Sequence, residues 1–192
     1  MRFFAVATAV ALVLGACGST ASTLPSPSPI PTKAPTPTPA PTPVNEFAFL
    51  ADLKASNEIP PIADSEASCT GTGQFLLRTK FDAAGKVIAA AAQFDILIRT
   101  CPESTQITVA HIHRAPAGQN GDVKVDSGLK ASEPIKVQTG GLGGEIGITK
   151  GDIPVTDLAV VADIMANPAN YYFNVHSVVH PGGLVRGQLV KS

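Results

Sequence analysis

Between Pro25 and Pro43 the chain places nine prolines, interleaved with Thr, Ser and Ala. Proline removes a backbone donor and fixes φ, so neither helix nor sheet interior can run through this stretch. The stretch is nearly free of charge and of large apolar groups, so it has no core to build. Any folded part must therefore lie in about residues 46–192, a length suited to one domain. Residues 18–45 read as a semi-rigid polyproline tether. At about 3.1 Å per residue it would reach roughly 80 Å when extended.

Ahead of the tether, Arg2 is followed by an apolar run from Phe3 to Val13. The run has the length of a secretory h-region and is too short to span a bilayer comfortably. It ends in Leu14-Gly15-Ala16-Cys17. Small residues before a cysteine resemble the bacterial lipoprotein processing signal. That resemblance implies cleavage before Cys17 and lipidation of this residue. Residues 1–17 are thus expected to be a signal peptide, and the domain to stand outside the cytoplasm, lipid-anchored at the cell envelope. Several acyl chains on one residue hold far better than one, at about 0.8 kcal/mol per buried methylene.

In the domain, Phe47, Phe49, Ala51 and Leu53 alternate with smaller or polar neighbours, as do Phe75, Leu77, Thr79 and Phe81. This is strand periodicity. Asp82-Ala83-Ala84-Gly85-Lys86 is a turn signal, and Val87 to Ile98 can return as an antiparallel partner. Its alanine-rich middle also suits helix. The preceding turn and the shared face of Phe94, Ile96 and Ile98 favour strand. Ile107 to His113 reads as a strand and Ala115 to Gly121 as a loop. Short strands follow around 123–125, 134–137 and 145–149. Leu158, Val161, Ala162 and Met165 recur at helical spacing, with Thr156 or Asp157 as N-cap and Asn167-Pro168 as the stop. Tyr171 to Val179 and Leu184 to Val190 are the closing strands, joined by Pro181-Gly182-Gly183. Many short strands with regular turns predict an all-β fold, an immunoglobulin-like or superoxide-dismutase-like antiparallel sandwich or barrel. One short helix precedes its last two strands.

Once Cys17 is assigned to lipid, Cys69 and Cys101 remain. In an exported domain the simplest reading is a disulfide, with a thiol metal site as the alternative.

Several motifs together resemble the CHRD (chordin) domain family. They are Asn57-Glu58-Ile59-Pro60-Pro61, His111-Ile112-His113, Tyr171 through His176, and Pro181-Gly182-Gly183 followed by Arg186-Gly187-Gln188. The resemblance covers about residues 46–190 and is most specific at its C-terminal end. It implies an extracellular all-β domain of poorly defined function. His180 departs from the pattern and is expected to be a solvated surface residue.

The four histidines of the chain are His111, His113, His176 and His180. Residues two apart on a strand share a face, with Cα atoms about 6.6 Å apart, so His111 and His113 present two imidazoles side by side. In the later strand Tyr172, Asn174 and His176 share a polar face, opposite Phe173 and Val175. If the two strands meet, His111, His113 and His176 can hold one metal ion, Cu or Zn by ligand type. Asn174, Arg186, Glu58 or Asp122 would then stand behind them as supporting groups. Two other readings stay open. The histidines can bond backbone groups and pin the fold, or they can move protons. Arg186 is expected to pair with a carboxylate such as Glu58 and join the two ends of the domain. A faint similarity to copper–zinc superoxide dismutase implies a copper-dependent redox enzyme with Arg186 as anion guide. Four histidines are too few for a bridged metal pair, so only a copper-only site is compatible.

Other chemistry is missing from the sequence. There is no Gly-x-Ser-x-Gly elbow. Gly140-Gly141-Leu142-Gly143-Gly144 lacks the ending of a phosphate loop and reads as a turn. The acidic residues show no calcium-loop spacing. A formal charge of −1 gives no attraction to nucleic acid. The expected partners are the membrane, through the anchor, and an extracellular protein or glycan. The domain is expected to bind rather than catalyse.

Overall fold

The structure is a computed structural model that describes residues 43–140 and 143–192. The expected signal peptide, Cys17 and all but the last residues of the expected tether lie outside this range, as do the central Gly141-Leu142 of the glycine-rich segment.

The strands are β1 (Asn45–Lys54), β2 (Thr70–Phe81), β3 (Val87–Cys101), β4 (Gln106–Arg114), β5 (Asp122–Asp126), β6 (Ile135–Lys136), β7 (Gln138–Gly140), β8 (Gly143–Pro154), β9 (Tyr171–Ser177), β10 (Val185–Gln188) and β11 (Val190–Lys191). They form one antiparallel sheet in the order β5-β4-β9-β10-β1-β2-β3-β8-β7, with β11 on β1 and β6 on β4. The sheet curls into a half-barrel, so the barrel alternative describes it better than two separate sheets.

The curl is read from the aromatic residues. Phe49, Phe75 and Phe94 face one another across β1, β2 and β3, with ring centroids 6.3 and 5.2 Å apart. Phe94 then meets Phe173 of β9 at 5.3 Å, although three strands separate β3 from β9 along the sheet. Only a strongly curved sheet brings these rings together. All four rings are fully buried. Gly73 permits the closure, since a Cβ there would stand 2.8 Å from the Phe173 ring.

Strand pairing settles the alanine-rich segment in favour of strand, because Ala89 to Ala92 pair continuously with β2. The turn before it is held by Asp82, whose carboxylate accepts from the Ala84 and Lys86 amides at 2.9 and 2.8 Å. Helix α1 spans Leu158–Ala166. Asp157 is its cap, accepting from the Ala159 and Val160 amides at 3.1 Å. The helix buries Val161 and Ile164, a face turned slightly from the predicted one. The final strand is broken at Leu189, so three short strands follow the helix rather than two. β8 is longer than predicted, because its glycines mask the apolar alternation of Ile146 and Ile148. Cys69 and Cys101 form a disulfide that ties the start of β2 to the end of β3.

Candidate metal centre

Strand β4 lies directly beside β9. Ile112 stands opposite Phe173 on the core face, while His111 stands opposite Asn174 and His113 opposite Tyr172 on the other face. The neighbouring strand β10 adds Arg186 opposite Asn174. The sequence reading makes this second face polar, and it is polar, but it is not open. Loops carrying Glu58, Gly121 and Pro181 fold over it, and every residue of β9 is buried. His113 and His176 are buried, and only His111 keeps partial contact with solvent.

The three imidazoles converge. Their ring centroids are 5.5 Å (His111–His113), 5.0 Å (His111–His176) and 6.1 Å (His113–His176) apart. One nitrogen from each ring lies within 4.8 Å of the other two. His111 Nδ1 and His176 Nε2 are 3.2 Å apart. Two nitrogens at about 2.0–2.1 Å from a tetrahedral Zn²⁺ stand about 3.3 Å from each other, so this pair already has ligand spacing.

Hydrogen bonds fix two of the tautomers. His113 Nδ1 donates to the Gly121 carbonyl and His176 Nδ1 to the Pro181 carbonyl, both at 2.9 Å. A carbonyl oxygen only accepts, so each Nδ1 carries the proton and each Nε2 keeps its lone pair. His176 Nε2 accepts from His111 Nδ1. His113 Nε2 is buried and has no partner. Leaving such an acceptor unpaired costs about 1–3 kcal/mol. His111 Nε2 faces Asp126 Oδ2 at 3.7 Å. A backbone carbonyl behind an imidazole is an arrangement that orients metal-ligating histidines, and His113 and His176 both have it.

The electrostatics keep the rings neutral. Burial pushes His176 down to about 4, helped by the neighbouring histidines and Arg186 and opposed by the Pro181 bond. Burial also lowers His111, against the pull of Asp126. It lowers His113 against the Gly121 bond. At neutral pH the rings therefore offer lone pairs without first losing protons.

The predicted supporting residues sit one step away. Arg186 Nε and Nη2 both donate to Glu58 Oε2, at 2.8 and 2.7 Å, in a buried ion pair. This is the expected tie between the two ends of the domain. Burial pushes the Glu58 carboxyl up against the opposing effect of Arg186. No hydrogen bond joins Asn174, Arg186, Glu58 or Asp122 to an imidazole. Asn174 and Arg186 continue the His111 row across β9 and β10, and Arg186 lies over the Tyr172 ring at 4.8 Å. Tyr172 in turn stacks on His113 with centroids 4.8 Å apart and planes within 10°. The groups bonded behind His113 and His176 are thus two backbone carbonyls, which side-chain reasoning did not single out, and Asp126 acts on His111 only through its charge.

His180 is not the solvated residue expected from sequence. It is half-buried, with Nε2 3.0 Å from Asp64 Oδ2 and 3.7 Å from Glu66 Oε2. Glu66 is itself buried and accepts from Ser177 Oγ at 2.7 Å. His180 stands apart from the other three rings and anchors the 178–183 loop to the 63–66 segment.

No curated protein and no solved structure matches the chain. The CHRD domain family model matches residues 49–189. That span holds the curled sheet from Phe49 to Leu189, all four histidines, the disulfide and the Glu58–Arg186 tie, and the chain belongs to the CHRD domain family.

Proposed function

We propose that this chain is a lipid-anchored, extracytoplasmic CHRD-domain protein that binds one first-row transition metal ion at His111, His113 and His176. The observation that carries the reading is the buried, unpartnered Nε2 of His113, aligned with a fixed tautomer beside two further imidazole nitrogens. A cation would take the lone pairs of His113 and His176 at Nε2. It would replace the His111–His176 hydrogen bond by binding His111 at Nδ1, with the displaced His111 proton carried at Nε2 toward Asp126. An all-imidazole set suits Cu²⁺ or Zn²⁺, and Cu²⁺ binds more tightly by the general order of divalent affinities.

The leader, Cys17 and the proline-rich tether support the placement at the cell envelope. The disulfide agrees with an oxidising compartment. The role assigned is binding, with an extracellular protein or glycan as the further partner. A copper redox activity is a distinct outcome of the same test.

The test is calorimetric titration of Cu²⁺ and Zn²⁺ into the full chain in non-ionic detergent, beside the H111A/H113A/H176A variant. One-to-one binding lost in the variant supports the site. Absence of binding in the wild type, or equal binding in both, refutes it. A superoxide assay on the copper-loaded protein then separates a binding module from a dismutase.

A further inference from the structure

The loop that joins β9 to β10 carries the Pro181 carbonyl, which accepts from His176 Nδ1 at 2.9 Å. Whatever fixes this loop therefore fixes the tautomer of His176 and the direction of its Nε2 lone pair. Gly182 and Gly183 follow Pro181, and glycine adds conformational freedom rather than stiffness. Gly182 faces open space, and Gly183 has a φ of +141°. Ahead of Pro181, Val178 and Val179 are both more than half exposed, so burial does little to pin the tip.

His180 is the residue on which the contacts of the loop meet. Its carbonyl accepts from the Ser177 and Gly183 amides at 3.2 and 3.1 Å. Its own amide donates to Ser177 Oγ at 3.0 Å. The ring reaches out of the loop to the 64–66 segment, with Nε2 donating to Asp64 Oδ2 at 3.0 Å and lying 3.7 Å from Glu66 Oε2. Ser177 Oγ donates to the same Glu66 oxygen at 2.7 Å. Both ends of the 177–180 turn are thus tied to one short segment.

That segment is itself held. Asp64 Oδ1 accepts from the Glu66 amide at 2.9 Å, and the Glu66 carbonyl accepts from the amide of Cys69 at 3.0 Å. Cys69 is bonded to Cys101. Glu66 is 2 % exposed, and a buried carboxylate is costly unless hydrogen-bonded. Its oxygen is placed against the two residues that frame the loop. Pro181 follows His180 directly, so the position of His180 passes to the Pro181 carbonyl through a planar peptide and a fixed φ. His113 takes its carbonyl from Gly121, on a different loop.

We infer that His180, clasped by Asp64 and Glu66, is a positioning residue of the histidine centre: it holds the Pro181 carbonyl against His176 Nδ1 and keeps the Nε2 lone pair turned toward the other two rings. The positioning belongs to the metal-free protein, whereas its effect on affinity rests on the metal reading given above.

The test uses the full chain in non-ionic detergent, labelled with ¹⁵N-histidine. With chelator present, ring ¹H–¹⁵N correlations report which nitrogen of His176 and of His113 carries the proton and how fast it exchanges. In H180A the His176 Nδ1 proton should exchange at least about tenfold faster, with the His113 signal unchanged. Cu²⁺ affinity should fall about 10–100-fold. H180Q, whose amide can still donate to Asp64, should restore both. Asp64 is 48 % exposed, so D64A keeps the fold, should move His176 in the same direction, and decides the matter if H180A does not fold. A wild-type His176 signal in H180A and D64A, equal loosening of His113, or wild-type Cu²⁺ affinity despite a loosened His176 would overturn the inference. A wild type that binds no Cu²⁺ would sink the metal reading alone, and the ring signals of the chelated protein would still decide the role of His180.

Discussion

Acid should unfold this domain through His176. In the unfolded chain the imidazole titrates near 6.5, and in the folded protein near 4. The folded value is the depressed one, so between these limits the unfolded state binds more protons. The stability tied to His176 is therefore complete above about pH 6.5 and is lost as pH falls toward 4. At about 1.4 kcal/mol per pH unit of separation the full loss is about 3 kcal/mol. By about pH 5 roughly 2 kcal/mol of it is already gone. For a domain of this size that lowers Tm by about 4–8 °C. His111 and His113 are depressed as well and add to the same direction. Asp64 and Asp163 are held below their usual value of 3.8, so their own stabilising contributions survive at pH 5. Glu58 is raised and works in the opposite direction. The assay is urea unfolding at about pH 7.5 and about pH 5, for wild type and His176→Gln. The glutamine can still donate toward the Pro181 carbonyl but does not titrate, so the difference between the two proteins isolates the imidazole. If the wild type loses no more stability than H176Q between these pH values, the account of a buried, neutral His176 is wrong.

Two further perturbations probe the frame around the site. Replacing Cys69 and Cys101 by serine opens a loop closed over a separation of 32 residues, and the chain-entropy model gives a loss of about 3–4 kcal/mol. Denaturation under non-reducing conditions measures it, and a loss below about 1 kcal/mol would show that the sheet register alone restrains this segment. Truncating Glu58 to alanine leaves Arg186 buried without its carboxylate and should cost about 3–5 kcal/mol. The E58M/R186M double variant should recover most of that loss in the same urea experiment. Equal instability of single and double variants would mean that the pair is needed for its specific geometry rather than for charge balance.

The fold was legible wherever the information is local. Alternation in Phe47–Leu53 and Phe75–Phe81 gave two strands, and the Asp82–Lys86 turn told the alanine-rich segment to pair back rather than coil into a helix. Asp157 was readable as a cap because its side chain reaches amides only two and three residues on. Legibility failed where tertiary context decides. Glycines at 143, 144, 147 and 151 hide the length of β8, since they carry no side chain to alternate. The loops that cover the polar face of β4 and β9 leave no trace in strand periodicity, so His180 looked solvated when it is held by Asp64 and Glu66.

The histidine site divides along the same line. The His-x-His spacing put two rings on one face by strand geometry alone, and the third needed only the adjacency of β4 and β9. What fixes their tautomers is the Gly121 and Pro181 backbone, and a carbonyl has no signature in a sequence. This distinction bears on why the cluster exists. If the rings served only as pins for the fold, each would be expected to satisfy both nitrogens. Instead two spend Nδ1 on a carbonyl, and His113 leaves Nε2 buried and empty. An apolar side chain at His113 would fill the space without that penalty and would remove one of the three groups that make the domain sensitive to acid. A fold that keeps three neutral imidazoles facing one another bears a cost in stability, and a bound cation is the partner that would offset it.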